Sequence, residues 1–347
     1  MPVLPYEKLE AIACEIVEAL GSPPEEAALV ARGLARGNLV GHDSHGIIRL
    51  EQYAKMVPDG GIVPGAPLTT LNETPAIALI DGGWNFGQVV GYRVVDTAVA
   101  KAKAVGVGVV SVRNSNHVGR LGEYTHEVAR RGLVAIGMVN NHGRGNLVAP
   151  FGGTDGRLAT NPISIASPAP GRPLLLDITT SVVAEGKVRV KRNAGERLPE
   201  GWLIDSQGRP STDPAEMYTS PRGAILPMGG PVAYKGYGLA MMVDVLSGAL
   251  SGAGCSQSNA ARLGNAIFLC AIDLEQFVPR DEFLEHVRVL IDHVTASPPA
   301  PGFERILLPG EPEILAEERR LRDGIPIDAV TWRQFAELAA SLGVSVD

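Results

Sequence analysis

His117 lies within Asn114-Ser115-Asn116-His117-Val118-Gly119-Arg120-Leu121, after the apolar β-branched run Val105 to Val112 and before a helical pattern from Gly122 to Arg131. An imidazole at a strand-to-helix turn, between amide side chains and a glycine, is placed for chemistry. Ligands of open α/β sheets gather outside the carboxyl ends of strands, where this turn falls. Imidazole titrates near pH ~6.5, so it can protonate an alkoxide formed by hydride addition or take a hydroxyl proton in reverse. The plain alternative is a histidine that only caps the next helix.

A second polar cluster, Gly41-His42-Asp43-Ser44-His45-Gly46, precedes Arg49. Asp43-Ser44-His45 reads either as a polar relay or as a helix cap. Arg49, four residues after His45, projects from the same helical face. Guanidinium binds carboxylates bidentately, so a carboxylate substrate is the natural partner; the alternative is a salt bridge to Glu51 or a more distant acid. His42, Asp43 and His45 lack further ligands at diagnostic spacing, so no metal is expected. Thr160-Asn161-Pro162 reads as a turn with polar side chains toward a ligand, and Asp177-Ile178-Thr179-Thr180-Ser181 puts an acid and hydroxyls at a strand end. Lys235-Gly236-Tyr237-Gly238 suits a phosphate, or simply a helix start.

The elements around these residues follow from periodicity. Ser22-Pro23-Pro24-Glu25 reads as a capping box opening a helix to about Val40, and a short helix passes through Leu50 and Tyr53. Beyond turns near Gly60 and Pro64, strands are predicted over Ala76 to Ile80, Val107 to Val112 and Val134 to Val139. Helices from Gln88 to Val105 and from Gly122 to Arg131 separate them, a βαβαβ rhythm that implies an at least partly parallel sheet. Short strands follow at Pro162 to Ala166 and Leu174 to Ile178, and the basic run Lys187 to Arg192 reads as a solvated strand edge or a phosphate contact. Gly236 to Gly252 is a nearly all-apolar helix expected to be buried on most sides. Ala266 to Ile272 is a strand, and three helices close the chain, the last capped by Thr331 with Gln334.

At 347 residues the chain suggests two substructures. With 31 Lys+Arg against 38 Asp+Glu, a net charge of −7 and no aromatics beside its basic run, it gives no reason to expect nucleic acid. Three cysteines without CxxC spacing read as reduced thiols, no secretory signal follows Met1, and no apolar run reaches the roughly 18 residues of a membrane span. A cytoplasmic protein is expected. A Rossmann fingerprint is missing: Gly106-Val107-Gly108 enters a strand rather than leaving one.

Together these motifs resemble the type 2 malate/L-lactate dehydrogenase family along nearly the whole chain. The resemblance is carried by Gly41 to Gly46, Asn116-His117 with Gly119, Thr160-Asn161-Pro162, Asp177 to Ser181 with Gly186-Lys187, and Lys235 to Gly238. His142-Gly143, Ile306 to Glu313 and Gly324 to Asp328 look most like the hydroxycarboxylate dehydrogenase B branch, although Tyr234 stands where that branch carries a histidine. The resemblance implies a non-Rossmann three-layer α/β fold with a mixed central sheet. A helical substrate and dimerisation domain would comprise residues 1–72 with 275–347, and a cofactor-binding sheet domain residues 73–274. It implies a homodimer using NAD or NADP to interconvert a 2-hydroxy acid and a 2-keto acid. His117 would be the acid/base, Ser44, His45 and Asp177 a relay beside it, and Arg49, with Thr160, the substrate grip. Cofactor contacts carry over to His45, Gly119, Arg120 and Leu121, to Leu175, Leu176, Asp177, Ile178 and Thr179, to Lys235, and to Gly310, Glu311, Pro312 and Glu313.

Three rivals stay open at this point. The same scaffold could reduce cyclic Δ1-imines such as piperideine- or pyrroline-2-carboxylate. Ser44 could be a hydrolase nucleophile, although adjacent Ser and His side chains point apart and no oxyanion-hole motif follows. The third rival is a protein that binds the cofactor without turnover.

Overall fold

The computed structural model describes residues 2–143, 146–193, 195–259 and 262–346, so Met1 and part of the stretch from Asn140 to Leu147 fall outside it. In chain order the elements are β1 (Val3–Leu4), α1 (Tyr6–Ala19), α2 (Pro24–Leu39), α3 (Leu50–Met56), β2 (Thr69–Glu73), β3 (Ile77–Asp81), α4 (Gly87–Val105), β4 (Val107–Ser115), α5 (Gly122–Arg130) and β5 (Val134–His142). There follow β6 (Ile163–Ser167), β7 (Leu174–Ile178), α6 (Glu185–Asn193), β8 (Leu203–Ile204), β9 (Pro210–Ser211), β10 (Ala224–Ile225) and α7 (Tyr234–Val243), which runs into a π-helical turn, Asp244–Ala249. The chain closes with β11 (Gly264–Ile272), α8 (Arg280–Thr295), α9 (Glu311–Asp323), β12 (Ile325–Pro326) and α10 (Ala329–Ser341).

The main sheet is mixed, as expected, with seven strands in the order β2-β3-β4-β11-β5-β6-β7. β3 and β4 pair in parallel, while β11 enters between β4 and β5, antiparallel to both. On one face α4 and α5 bury Val90, Val94, Ala98 and Val128 against Val110, Val112, Ile267 and Leu269. Gly108 permits that approach, because a Cβ there would stand 2.1 Å from the Ala98 carbonyl oxygen. On the other face Val243, Leu239 and Leu246 pack on Ile136, Met138 and Phe268. Three layers result.

A separate core joins the two chain ends: Leu9, Ile16, Val30, Leu34, Leu50 and Tyr53 meet Ile325, Ile327 and Phe335. Each fully buried Leu or Ile contributes about 2 kcal/mol. A third core, with Val148, Leu158, Val188, Leu203 and Ile225, carries α6. Among the described residues no helix is long and apolar enough to cross a membrane.

Several local expectations change. Lys187 to Arg192 is helical rather than a strand edge: Arg189 pairs with Glu185 one turn back at 2.7 Å, and Val188 faces the third core. The apolar segment after Gly236 is not buried on most sides, since Met241, Met242, Val245 and Leu250 are exposed. Ser22 makes no capping bond to α2, which starts on Pro24, and α10 is capped by Asp328, whose carboxylate accepts from Val330 and Thr331 N–H. β4 and β5 extend to Ser115 and His142, beyond their apolar runs, because the start of β11 pairs with both: Asn265 with Asn141 and Gly264 with His142 on one side, and Asn265 with Ser115, past a bulge, on the other.

Candidate active site

β4 ends two residues before His117, and the turn that follows is clamped. Asn114 adopts a left-handed φ of 55°, Trp84 N–H donates to its carbonyl at 2.7 Å, and Asn116 Nδ2 donates to the Trp84 carbonyl at 2.7 Å. Gly87 opens α4 directly beneath; any side chain there would meet the His117 carbonyl oxygen at 2.3 Å. Gly119, φ 75°, releases the chain into α5. The imidazole thus points toward the helical part, where His117 Nδ1 lies 2.8 Å from Tyr53 Oη. Gln88 Nε2, on the first turn of α4, donates to the same phenol oxygen at 2.8 Å.

His45 arrives from the opposite side. In the last turn of α2, Asn38 Oδ1 accepts from Ile47 N–H and Asn38 Nδ2 donates to Asp43 Oδ1, both at 2.8 Å. Arg320 of α9 forks onto the Asp43 carboxylate at 2.7 and 3.0 Å. Asp43 is therefore a brace for the turn, neither relay nor helix cap. Ser44 Oγ lies 3.0 Å from His45 Nδ1, and the His45 and His117 rings stack with centroids 5.5 Å apart and 17° between planes. His42 bonds Glu313 at 3.0 Å instead, and no cluster of three potential ligands for a metal exists among the described residues.

Burial sets the charge state of this pair. It pulls the His45 pKa down to about 3, assisted by the charges of Arg49 and Arg120 nearby. His117 is held well below its usual value by burial, then by Arg49 and His45. Against the near-neutral titration expected from sequence, burial and the Arg49 charge push both rings toward the neutral form. Tyr53 is pushed up to about 12 by burial, against the Gln88 hydrogen bond and the Arg49 charge.

Arg49 is the source of that charge. Its Nε donates to the Ser44 carbonyl at 2.7 Å and Nη1 to Gln52 Oε1 at 3.0 Å, with no carboxylate at ion-pair distance among the described residues. Glu51, the alternative partner, bonds Lys55. Burial depresses the Arg49 pKa, as an unpaired cation set into protein requires.

Asp177 does not join Ser44 and His45. Its Oδ2 accepts from Gly122 N–H at 2.9 Å and stands 3.2 Å from Arg120 Nε, so it is committed to α5. Any influence on the histidines passes through Arg120, whose charge acts on His45. Leu175 N–H donates to the Pro309 carbonyl at 3.1 Å, and Gly310, φ 88°, lies so close that a Cβ would be 2.9 Å from Leu175 Cβ. This brings Arg120 and Leu175, with Asp177 paired to Arg120, beside Gly310 and Glu313 at the start of α9, where Glu311 and Pro312 also lie. Gly119 sits against Gln88, and Leu121 packs into the sheet core. Leu176 is partly exposed, Ile178 packs on the sheet face under α7, and Thr179 Oγ1 donates to the Ser181 carbonyl. The Thr160 carbonyl accepts from Thr180, and Asn161 is fixed by Asp244. Lys235 is exposed on α7, away from the histidine pair's hydrogen bonds.

Sequence reading missed Tyr53 and Gln88. Tyr53 counted only as an apolar position, yet its place four residues after Arg49 puts both on one face; Gln88 is a polar residue in the first turn of an apolar helix.

The model of the family described as malate/L-lactate dehydrogenase matches residues 4–336. Malate dehydrogenase of Pyrococcus horikoshii is 40% identical over 98% of this chain and 96% of its own length, and a solved structure of that name from the same organism superposes with a TM-score of 0.90. L-sulfolactate dehydrogenase of Methanocaldococcus jannaschii is 37% identical over 99% of this chain and 98% of its own. Hydroxycarboxylate dehydrogenase B of Escherichia coli is 36% identical over 95% and 91%. The stacked histidines, the uncompensated arginine and a sheet without a dinucleotide fingerprint thus sit in a chain that belongs to the malate/L-lactate dehydrogenase family of oxidoreductases.

Proposed function

We propose that this protein is a nicotinamide-dependent oxidoreductase interconverting a 2-hydroxy acid and its 2-keto acid. The observation that carries this reading is Arg49, a cation without a carboxylate partner among the described residues, set beside two neutral, stacked imidazoles. A substrate carboxylate on Arg49 puts the C2 oxygen within the reach of His117, which exchanges the proton there. Ser44 orients His45, Asp177 steadies Arg120, and Thr160 contributes to the pocket wall.

NAD or NADP supplies or accepts the hydride at C2 when bound. The residues present fit such a group. Arg120 is buried with Nε and Nη2 lacking hydrogen-bond partners, its contact to Asp177 being poorly aligned, which suits a pyrophosphate. Gly119 and Gly310 let the chain turn closely against Gln88 and Leu175 there, and Leu121, Leu175, Leu176, Ile178, Thr179, Glu311, Pro312 and Glu313 are the further residues offered for cofactor contact. Lys235 serves the far end of the cofactor. The exposed apolar residues of α7, and α8, which buries none of its residues while exposing Val289, Leu290 and Val294, support a homodimer. Three free cysteines support a reducing, cytoplasmic setting.

A second reading has His45 as the proton exchanger, favoured by its 3.0 Å contact with Ser44. Oxidation of NADH and NADPH, followed by absorbance against a panel of 2-keto acids and cyclic imines, tests the function. Absence of turnover with every keto acid sinks it, and turnover with imines alone transfers it to the imine reductases. Comparing His117→Asn with His45→Asn identifies the proton exchanger as the variant that loses turnover while still binding cofactor.

A further inference from the structure

We propose that Tyr53 is the proton source behind His117, its phenol protonating Nδ1 as Nε2 gives its own proton to the substrate oxygen. The inference rests on the 2-keto acid reductase reading and assigns a role to a residue that cannot itself touch substrate.

The direction of the hydrogen bonds decides the tautomer. Tyr53 Oη already accepts from Gln88 Nε2 at 2.8 Å, so its single proton is free to be donated. The acceptors in reach are His117 Nδ1 at 2.8 Å and, more weakly, the His117 carbonyl at 3.4 Å. With Nδ1 accepting, the ring carries its proton on Nε2, the nitrogen without a protein partner among the described residues. Burial and the Arg49 charge keep the ring neutral, so no imidazolium proton is stored there. A neutral imidazole that gives up Nε2–H without compensation would become an imidazolate, so the second proton must come from behind. Tyr53 is placed to supply it and is held by edge-on packing against Phe86.

The step balances. In reduction, C2 takes the hydride of the bound dihydronicotinamide and the C=O double bond becomes single. The Nε2–H bond breaks as the new O–H bond forms, and the Tyr53 O–H bond breaks as Nδ1–H forms. The net result is a neutral His117 and a Tyr53 phenolate. That phenolate keeps the Gln88 N–H and faces the positive Arg49; a phenol is also a stronger acid than an aliphatic alcohol. After product leaves, a solvent proton relayed by water binds Nε2 while Nδ1–H returns to the phenolate, so the phenol and the Nε2–H tautomer are restored. The titratable and charged groups facing Tyr53 are Arg49 on its own side, His117 from the turn after β4, with His45 stacked on its far side, and Tyr124 from α5, with no carboxylate among these. The proton store of the working enzyme is therefore a phenol, so reduction should be insensitive to pH through the neutral range.

The test combines Tyr53→Phe, which keeps the ring packing, with a probe that needs no turnover. In protein labelled with 15N-histidine and free of cofactor, the His117 signals, identified by their loss in His117→Asn, should show Nε2–H with an accepting Nδ1. In Tyr53→Phe that preference should be lost. Kinetically, Tyr53→Phe should lower the reduction kcat by about 100-fold with KM and cofactor Kd within twofold, and its rate should now climb as pH falls. Gln88→Leu should weaken the effect in the same direction. An Nδ1–H tautomer in the parent protein, or a Tyr53→Phe kcat within twofold, overturns the proposal. Were the Nε2–H tautomer found in a protein that reduces no 2-keto acid, the reductase reading would fall and take the proton supply with it, with the hydrogen bond intact.

Discussion

Arg49→Met is the perturbation whose consequences can be worked furthest from the structure. Of the five guanidinium N–H groups, Nε–H is committed to Ser44 and one Nη1 hydrogen to Gln52, leaving three for a substrate carboxylate. Two charge-assisted hydrogen bonds at about 1.5–3 kcal/mol each give a loss of about 4 kcal/mol in transition-state binding, or roughly 1000-fold in kcat/KM. Stability should respond differently. The substitution forfeits bonds to the Ser44 carbonyl and to Gln52, about 2 kcal/mol together since the second is exposed, but also removes a buried charge without an ionic partner, so the two changes offset in large part. The expected melting temperature lies within about 4 °C of the parent. Because the Arg49 charge depresses both histidines, their pKa values should rise together. Steady-state kinetics with a 2-keto acid, a thermal melt and histidine NMR titration measure the three effects. A kcat/KM within threefold of the parent, or a large loss of stability, would refute the assignment of Arg49 to an anionic substrate; Arg49→Lys should fall between, keeping charge but losing the fork.

Histidine burial predicts acid sensitivity: the folded pKa values lie below the unfolded value of ~6.5, so the unfolded chain takes up protons that the native one cannot. Stability should be fully present above that value and fall with decreasing pH toward the folded values by at most about 1.4 kcal/mol per pH unit for each ring, less where the cleft admits solvent. Denaturant melts from pH 7 to 4 measure the slope, which should flatten in the His45→Asn, His117→Asn double variant. Asp244→Ala should cost about 3 kcal/mol or more, since Asn140, Asn161 and Ser256 all donate to that buried carboxylate; a melting temperature equal to the parent's would show that water replaces it. Gly310→Ala should weaken nicotinamide cofactor binding at least tenfold by fluorescence titration, because a left-handed φ and a 2.9 Å clash with Leu175 must both be relieved.

Much of this molecule could be read from residue order alone. Apolar spacing located most helices and the strands flanking His117, since burying one face of an element imposes its period on the sequence. The missing glycine fingerprint excluded a Rossmann site, and Arg49 close after His45 pointed to an anion, but not by the expected helical face: His45 and Arg49 lie in separate short turns broken by the extended backbone of Gly46, and α3 starts only at Leu50. What the sequence could not disclose is anything that depends on distant segments meeting. β11 enters between β4 and β5 only in three dimensions, and strand pairing leaves no local code for its neighbour. The Lys187 to Arg192 run became helical because Val188 found a core on one side. Asp43 and Asp177 seemed alike, acids beside candidate catalytic groups, until Arg320 claimed one and Arg120 with α5 the other. The neutrality of both histidines and the Tyr53 phenol behind His117 also belong to the tertiary structure, because desolvation and a hydrogen bond spanning 64 residues are properties of a packed interior rather than of a string.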